Sequence, residues 1–188
     1  MKLALRVVLV CMLLAAAGWA QQAQVSVDYL YQGSNHVLGA TNQFGANGGR
    51  ADVSFGNWRH FGLVAEFAGA HSSSLSSSGV GLTTITYLVG PRRTFQLGGG
   101  EKHKVSAFVQ VLLGGVHASE GLFPGGTAMK GSANSFALST GAGLEAGLTR
   151  RISLRLIQAD YLHTRLPNLY DNYQSNFRLG SGVVFRIH

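Results

Sequence analysis

In Asn176-Phe177-Arg178-Leu179-Gly180-Ser181-Gly182-Val183-Val184-Phe185-Arg186-Ile187, side chains alternate in character along the chain. Phe177, Leu179, Val183, Phe185 and Ile187 fall on one face of an extended chain. Arg178, Gly180, Gly182 and Arg186 fall on the other. A period of two marks a β-strand whose two faces meet different surroundings. At twelve residues the stretch exceeds the roughly 9–11 that a tilted strand needs and is long enough to cross a bilayer.

Upstream, seven further segments alternate in the same way. Gln24 to Tyr31 sets Val25, Val27, Tyr29 and Tyr31 against Ser26 and Asp28. Gly48 to Phe55 sets Ala51, Val53 and Phe55 against Arg50, Asp52 and Ser54. Phe61 to Ala70 sets Phe61, Leu63, Ala65 and Phe67 against Gly62 and Glu66. In Val80 to Arg92, Ile85, Tyr87 and Val89 oppose Thr84, Thr86, Gly90 and Arg92. Val105 to Val116 carries Ala107, Val109, Val111 and Leu113 opposite Ser106 and Gln110. Ser135 to Gly147 carries Phe136, Leu138, Ala142 and Leu144 opposite Ser139, Gly141, Gly143 and Glu145. Ile152 to Thr164 changes phase: Ile152 and Leu154 oppose Arg155, but Ala159 and Tyr161 oppose Gln158 and Asp160. One extra residue near Leu156 or Ile157, a β-bulge, restores the alternation.

Eight such strands predict an all-β protein: an eight-stranded antiparallel up-and-down transmembrane β-barrel. A barrel this narrow is filled by its own side chains, so charges on the polar face must pair and glycines must make room. Asp28, Asp52, Glu66, Glu145 and Asp160 are expected to neutralise Arg50, Arg92, Arg155, Arg178 and Arg186 inside it. A filled interior argues against a wide pore.

The connections alternate in length. Gln32 to Asn47, His117 to Asn134 and Arg165 to Ser175 are long, and His71 to Ser78 is serine-rich. Gly56 to His60 and Leu148 to Arg151 are tight, and only Arg93 to Lys104 breaks the pattern. Long connections outside and short ones inside place both termini in the periplasm. Tyr31, Trp58, Phe61, Tyr161, Phe177 and Phe185 are candidates for the interfacial aromatic girdles.

Residues 1–20 read as a secretory signal, leaving 21–188 as the barrel domain. Lys2 and Arg6 precede the apolar run Val7 to Ala17, and Gly18-Trp19-Ala20 offers small residues at a cleavage site. The single cysteine, Cys11, lies within that run. A domain without disulfides must then be held by its own hydrogen bonding and packing. Without Lys2 and Arg6, the 15 basic residues fall to 13 against 8 acidic ones, a net charge of +5. A basic balance can mark nucleic-acid binding, but no basic run interleaves with aromatics here, so no nucleic acid is expected. Charged residues make up 12% of the chain, well under the usual figure of about 25%. Glycine numbers 26 and proline 3, which suits strands in contact with lipid.

Five stretches carry a resemblance to a known group: Tyr87-Leu88-Val89-Gly90-Pro91-Arg92; Leu113-Gly114-Gly115-Val116-His117-Ala118; Gly141-Ala142-Gly143-Leu144-Glu145; Gln158-Ala159-Asp160-Tyr161-Leu162-His163-Thr164-Arg165; and Gly182-Val183-Val184-Phe185-Arg186. They look like the small outer-membrane β-barrel proteins of the porin-like, adhesion and opacity group, in the form common in acidobacteria. The resemblance spans residues 25–187 and implies the barrel and an outer-membrane location, while saying little about activity. In that group the chain usually finishes on an aromatic residue, whereas this one finishes Phe185-Arg186-Ile187-His188.

Other motifs are weaker. Gly56-Asn57-Trp58 matches the G-x-W of lipocalins, soluble barrels with an apolar interior, and periodicity alone leaves the choice of inner face open. His71-Ser72-Ser73 and His117-Ala118-Ser119-Glu120 contain H-x-S, where an imidazole two residues from a serine could activate it. That pattern is similar to lipid-modifying barrel hydrolases, although polar loop residues explain it more simply. The seven histidines are scattered without the pair spacing of a metal site. Arg59, Arg93, Lys102, Lys104, Arg150 and Arg151 fall in the short connections, where a basic ring would meet lipid headgroups. The reading is therefore a monomeric, non-enzymatic barrel in outer-membrane lipid, without cofactor or metal, whose long loops contact host or environmental surface ligands. A barrel-scaffold lipid-modifying hydrolase and a soluble lipocalin-like periplasmic ligand carrier are the alternatives.

Overall fold

The computed structural model describes residues 23–34, 44–58, 61–73, 81–98, 104–121, 131–166 and 174–187. The expected leader, residues 1–20, lies outside the described residues. Eight strands follow in chain order: β1 Ala23–Ser34, β2 Phe44–Trp58, β3 Phe61–Ser72, β4 Leu82–Gly98, β5 Val105–Gly121, β6 Gly131–Gly147, β7 Ile152–Thr164 and β8 Gln174–Ile187. Each pairs antiparallel with its neighbours in sequence, and β1 pairs with β8 to close the barrel. Closure gives every strand two partners and leaves no edge.

Several strands run longer than alternation indicated. β5 and β6 extend their pairing to Gly121 opposite Gly131. β4 continues past Arg92 to Gly98, with Thr94 opposite Phe108 and Gln96 opposite Ser106. Half of the apparently long connection Arg93 to Lys104 is therefore strand, which leaves only residues 99–104 between β4 and β5. Near the end of β2, at the register shift between Phe55 and Trp58 that leads into the tight turn to β3, Gly56 takes φ +84°, a backbone conformation that glycine adopts without penalty. On β7, Leu144 of β6 faces Ile157 while Glu145 faces Arg155, so Leu156 is the extra residue of a bulge. The bulge lets Arg155 and Gln158 both point inward despite being three apart in the chain.

The two faces settle the choice that alternation left open. Val27, Leu63 and Phe67 are 54–57% exposed on the outside, while Arg50, Arg155 and Arg178 inside are 0–2% exposed. An apolar belt this continuous is not stable against water, and its natural solvent is hydrocarbon. The soluble lipocalin-like carrier requires the reverse arrangement and is corrected accordingly. Tyr31, Phe61, Tyr161, Phe177 and Phe185 lie on the exposed face. The Trp58 side chain lies outside the described residues.

Both barrel ends of the chain, Ala23 and Ile187, sit where the three short connections sit, here the turn end. The opposite, loop end carries the four other connections. Inside, an apolar cluster including Leu30, Ala46, Ala70, Leu82, Ala118, Ala137 and Leu162 gathers mainly toward the loop end. Glycine creates the space for larger interior groups: a Cβ on Gly180 would come within 2.5 Å of Arg50 Nη2, and one on Gly143 within 2.5 Å of the Phe108 ring.

Leu113 sits midway along β5 on the exposed face. Leu113→Arg is expected to lower unfolding stability in phospholipid vesicles by about 2–4 kcal/mol, the usual cost of arginine at the bilayer midplane. A urea titration that detects no loss would mean that this face meets water.

Candidate functional site

Every strand contributes a polar side chain to one buried layer of the lumen: Asp28 from β1, Arg50 and Asp52 from β2, Glu66 from β3, Arg92 from β4, Gln110 from β5, Glu145 from β6, Arg155, Gln158 and Asp160 from β7, and Arg178 from β8. The period-two backbone makes this possible, since each residue occupies an inward position. Register then brings them to neighbouring levels, with Asp28 opposite Arg50 and Asp160 opposite Arg178.

The contacts form a closed circuit. Arg50 Nε donates to Asp28 Oδ2 at 2.9 Å, and its Nη1 donates to Asp160 Oδ2 at 2.6 Å. Asp160 Oδ1 accepts from Gln110 Nε2 at 3.3 Å, and Gln110 Oε1 accepts from Arg92 Nε and Nη2 at 3.0 and 2.8 Å. Arg92 Nη1 lies 3.3 Å from Asp52 Oδ1. Arg155 Nη1 closes the path, donating to Asp52 Oδ2 at 2.5 Å and to Asp28 Oδ2 at 2.8 Å. Two spurs leave the circuit. Glu145 Oε1 accepts from Arg155 Nε and Nη2 at 3.1 and 3.0 Å. Glu66 lies 3.9 Å from Arg50 Nη1, and its Oε1 accepts from Arg178 Nη2 at 2.9 Å.

Asp28 Oδ1, Arg50 Nη2, Glu66 Oε2 and Arg178 Nε have no hydrogen-bond partner among the described residues. Burying so many ions is tolerable only because each charge is met by opposite charge, and several by additional hydrogen bonds. Ser26 supplies one such bond to Asp52 at 2.6 Å, and Gln158 donates to both oxygens of Asp160 at 2.9 and 3.0 Å. Arginine suits the task because its planar fork serves several carboxylates at once. Arg155 alone reaches three.

Nine of the ten residues expected in the interior network meet there. Arg186 does not. Its register position is opposite Gln24, nearer the turn end than the interior carboxylates, and it forms no ion pair among the described residues. Five carboxylates therefore face four guanidiniums rather than five. Alternation passed over three contributors. Gln110 and Gln158 were readable as polar-face residues, but nothing in their spacing marked them as bridges. Phe108 broke the pattern visibly, a large aromatic at an inward position between Ser106 and Gln110. It is buried with Arg92 and Arg155 stacked over its ring at 4.3 and 5.2 Å, a favourable cation–π geometry.

The H-x-S motifs fall elsewhere. His71 points outward, with Nδ1 2.9 Å from Thr83 Oγ1, and Ser73 is exposed as well. His117 Nδ1 lies 2.8 Å from the amide oxygen of Asn134. Among the described residues, no three His, Cys, Asp or Glu side chains group as metal ligands do. The basic residues of the short connections divide. Arg93 faces outward, stacked on Phe61 and Phe95 at 5.1 and 5.0 Å. Lys104 and Arg150 line the inside of the turn end. Arg59 and Lys102 lie outside the described residues.

Neither a protein-family model nor a curated protein matches the chain. Among solved structures it is similar to Neisserial surface protein A, with a TM-score of 0.58 and 14% identity over 87% of this chain and 96% of that one. It is also similar to Ail, the attachment invasion locus protein of Yersinia pestis, with a TM-score of 0.52 and 15% identity over 88% of this chain and 98% of that one. The N-terminal β-barrel domain of Pseudomonas aeruginosa OprF gives a TM-score of 0.51 and 14% identity over 87% and 97%. The shared feature is the fold, that of the small outer-membrane β-barrels.

Replacing Arg155 leaves Asp28, Asp52 and Glu145 without their common cation. Arg155→Met is expected to destabilise the barrel by about 3–5 kcal/mol, the usual result of removing one partner from a buried ion pair. A urea midpoint equal to that of the unsubstituted chain would show that the circuit adds nothing to stability.

Proposed function

We propose that the chain is a bacterial outer-membrane barrel whose plugged lumen serves as a rigid, non-enzymatic mount for surface-contacting loops. The observation that carries this reading is the inverted polarity: an apolar exterior around a lumen filled by paired charges and an apolar cluster. The apolar exterior calls for lipid as the main partner. Closure through β1 and β8 satisfies every strand internally, which fits a monomer. A lumen occupied by Arg50, Arg155, Arg178, Phe108, Leu30, Leu112 and Leu162 suits a plug better than a pore.

The surface-contact role then falls to the connections at the loop end, around residues 35–43, 74–80, 122–130 and 167–173, which lie outside the described residues. The Yersinia pestis protein has also been solved with the heparin analogue sucrose octasulfate. Sequence argues against the same chemistry here. Lys130 and Asp171 are the only charged residues in those four segments, beside His36. Leu122, Phe123, Met129, Tyr170 and Tyr173 supply apolar and aromatic contact groups instead, which suit protein or sugar faces better than a polyanion.

Expressing cells are expected to carry the chain in the outer-membrane fraction, with faster gel mobility unboiled than boiled. Replacing residues 122–130 by an equally long Gly-Ser segment should leave that mobility shift intact and reduce the cells' attachment to protein- or glycan-coated surfaces. Soluble recovery from the periplasm would overturn the membrane reading. Undiminished attachment in this variant and in matching replacements of the other three segments would overturn the contact role alone.

A further inference from the structure

The turn end of the lumen is built differently from the rest. Directly above it the lumen is filled by Phe108 and the layer of paired guanidiniums and carboxylates, but here the inward positions are held by Gln24, Ser54, Gly62, Thr94 and Ser106. The result is a cavity of about 490 Å³, within the usual ~300–1,000 Å³ of small-molecule sites. Phe108 and Arg92 lie along its wall at the network side.

Charge in this cavity is one-sided. Arg92, Lys104, Arg150 and Arg186 line it, against a single carboxylate among the described residues, Glu145. Glu145 is already engaged by Arg155 at 3.0 Å, and Arg92 by Gln110 and Asp52. Lys104 and Arg186 have no ion-pair partner among the described residues, and they come from separate parts of the barrel, Lys104 immediately before β5 and Arg186 on β8. Two cations brought to one concave, hydroxyl-lined space attract an anion with several acceptor oxygens. Guanidinium and ammonium are the usual phosphate donors among side chains.

We propose that this cavity binds a small phosphate-bearing molecule, with Lys104 and Arg186 as its cationic grip and the Ser54, Thr94 and Ser106 hydroxyls as supporting donors. The observation extends beyond the loop-borne role and does not depend on it, since the cavity lies at the opposite end of the barrel. It also divides the basic residues of the short connections by function: Arg93 turns outward toward the lipid boundary, while Lys104 turns into the lumen. The phosphate has two possible sources, a free phosphorylated solute or the headgroup of an anionic lipid at the rim.

The test uses the full chain purified from membranes into zwitterionic detergent, titrated calorimetrically at low salt with glycerol 3-phosphate, inorganic phosphate and, as a neutral control, glycerol. The phosphates are expected to bind and glycerol not to. The K104Q/R186Q double variant should weaken binding by about tenfold or more, as expected for losing hydrogen bonds to charged groups. R93Q should leave it unchanged, and a retained heat-dependent mobility shift shows that each variant is folded. Repeating the titration in nanodiscs of phosphatidylcholine alone or with phosphatidylglycerol identifies the source. Competition by the anionic lipid, lost in K104Q/R186Q, assigns the site to a headgroup; unaltered binding assigns it to a free solute. No phosphate binding, or equal binding by the double variant, overturns the proposal.

Discussion

A backbone surrounded by hydrocarbon can hydrogen-bond only to itself, and the rest of this structure follows from that constraint. It requires closure, and β1 meeting β8 supplies it. Closure at eight strands leaves a lumen about as wide as a side chain is long, so inward residues must pack against inward residues from across the barrel. Period two then sends polar groups inward wherever apolar groups face lipid. The interior thus receives charges that it cannot hydrate, and they must neutralise one another. Arg155, reaching Asp28, Asp52 and Glu145 at once, is the clearest result. The glycines at 143 and 180 are the steric counterpart, leaving room for Phe108 and Arg50 where a methyl group would collide.

Strand number, strand direction and the β7 bulge were all legible, because each depends on a local two-residue rhythm that one chain displays by itself. The bulge could be read from Arg155 and Gln158 being both polar yet three apart. Strand ends were harder. At Arg93 to Lys104, charge and glycine imitate a loop, but pairing to β5 keeps the backbone extended to Gly98. The partners within the lumen were less accessible still. Alternation shows that Arg186 points inward, but its level relative to the carboxylates depends on register and on the stagger of neighbouring strands. Which arginine meets which acid is a property of the closed barrel and of no single segment. Phe108 was visible as an exception, and its purpose emerged only with Arg92 and Arg155 placed over its ring.

The outer surface carries a polarity of its own. Tyr29, Tyr31, Tyr87 and Tyr161 all lie on the exposed face in the half nearer the loop end, where Phe136 and Phe177 join them, whereas the exposed aromatics described at the turn end, Phe61, Phe95 and Phe185, are all phenylalanines. Tyrosine combines an apolar ring with a hydroxyl that seeks water or headgroups. Phenylalanine has no such handle, and at Phe61 and Phe95 the polar partner is supplied by Arg93 lying over both rings. The two membrane boundaries are thus met by different chemical means.

The circuit of ion pairs also bears on how the chain reaches its final form. Arg155 is 127 residues from Asp28 and 129 from Ser26, and Arg50 is 110 from Asp160. None of these contacts exists in a hairpin or in a growing sheet of four or five strands. A half-formed barrel would hold Asp28, Arg50 and Asp52 with much of their neutralising charge still missing, a species that hydrocarbon rejects. Pairs of such long sequence separation are also slow to find one another. Insertion should therefore be nearly all-or-none, with the final β1–β8 seam and the last neutralised charge arriving together. The lumen then works as a checkpoint on assembly: a chain that closes out of register leaves an arginine without its acids and is pushed back toward the open state.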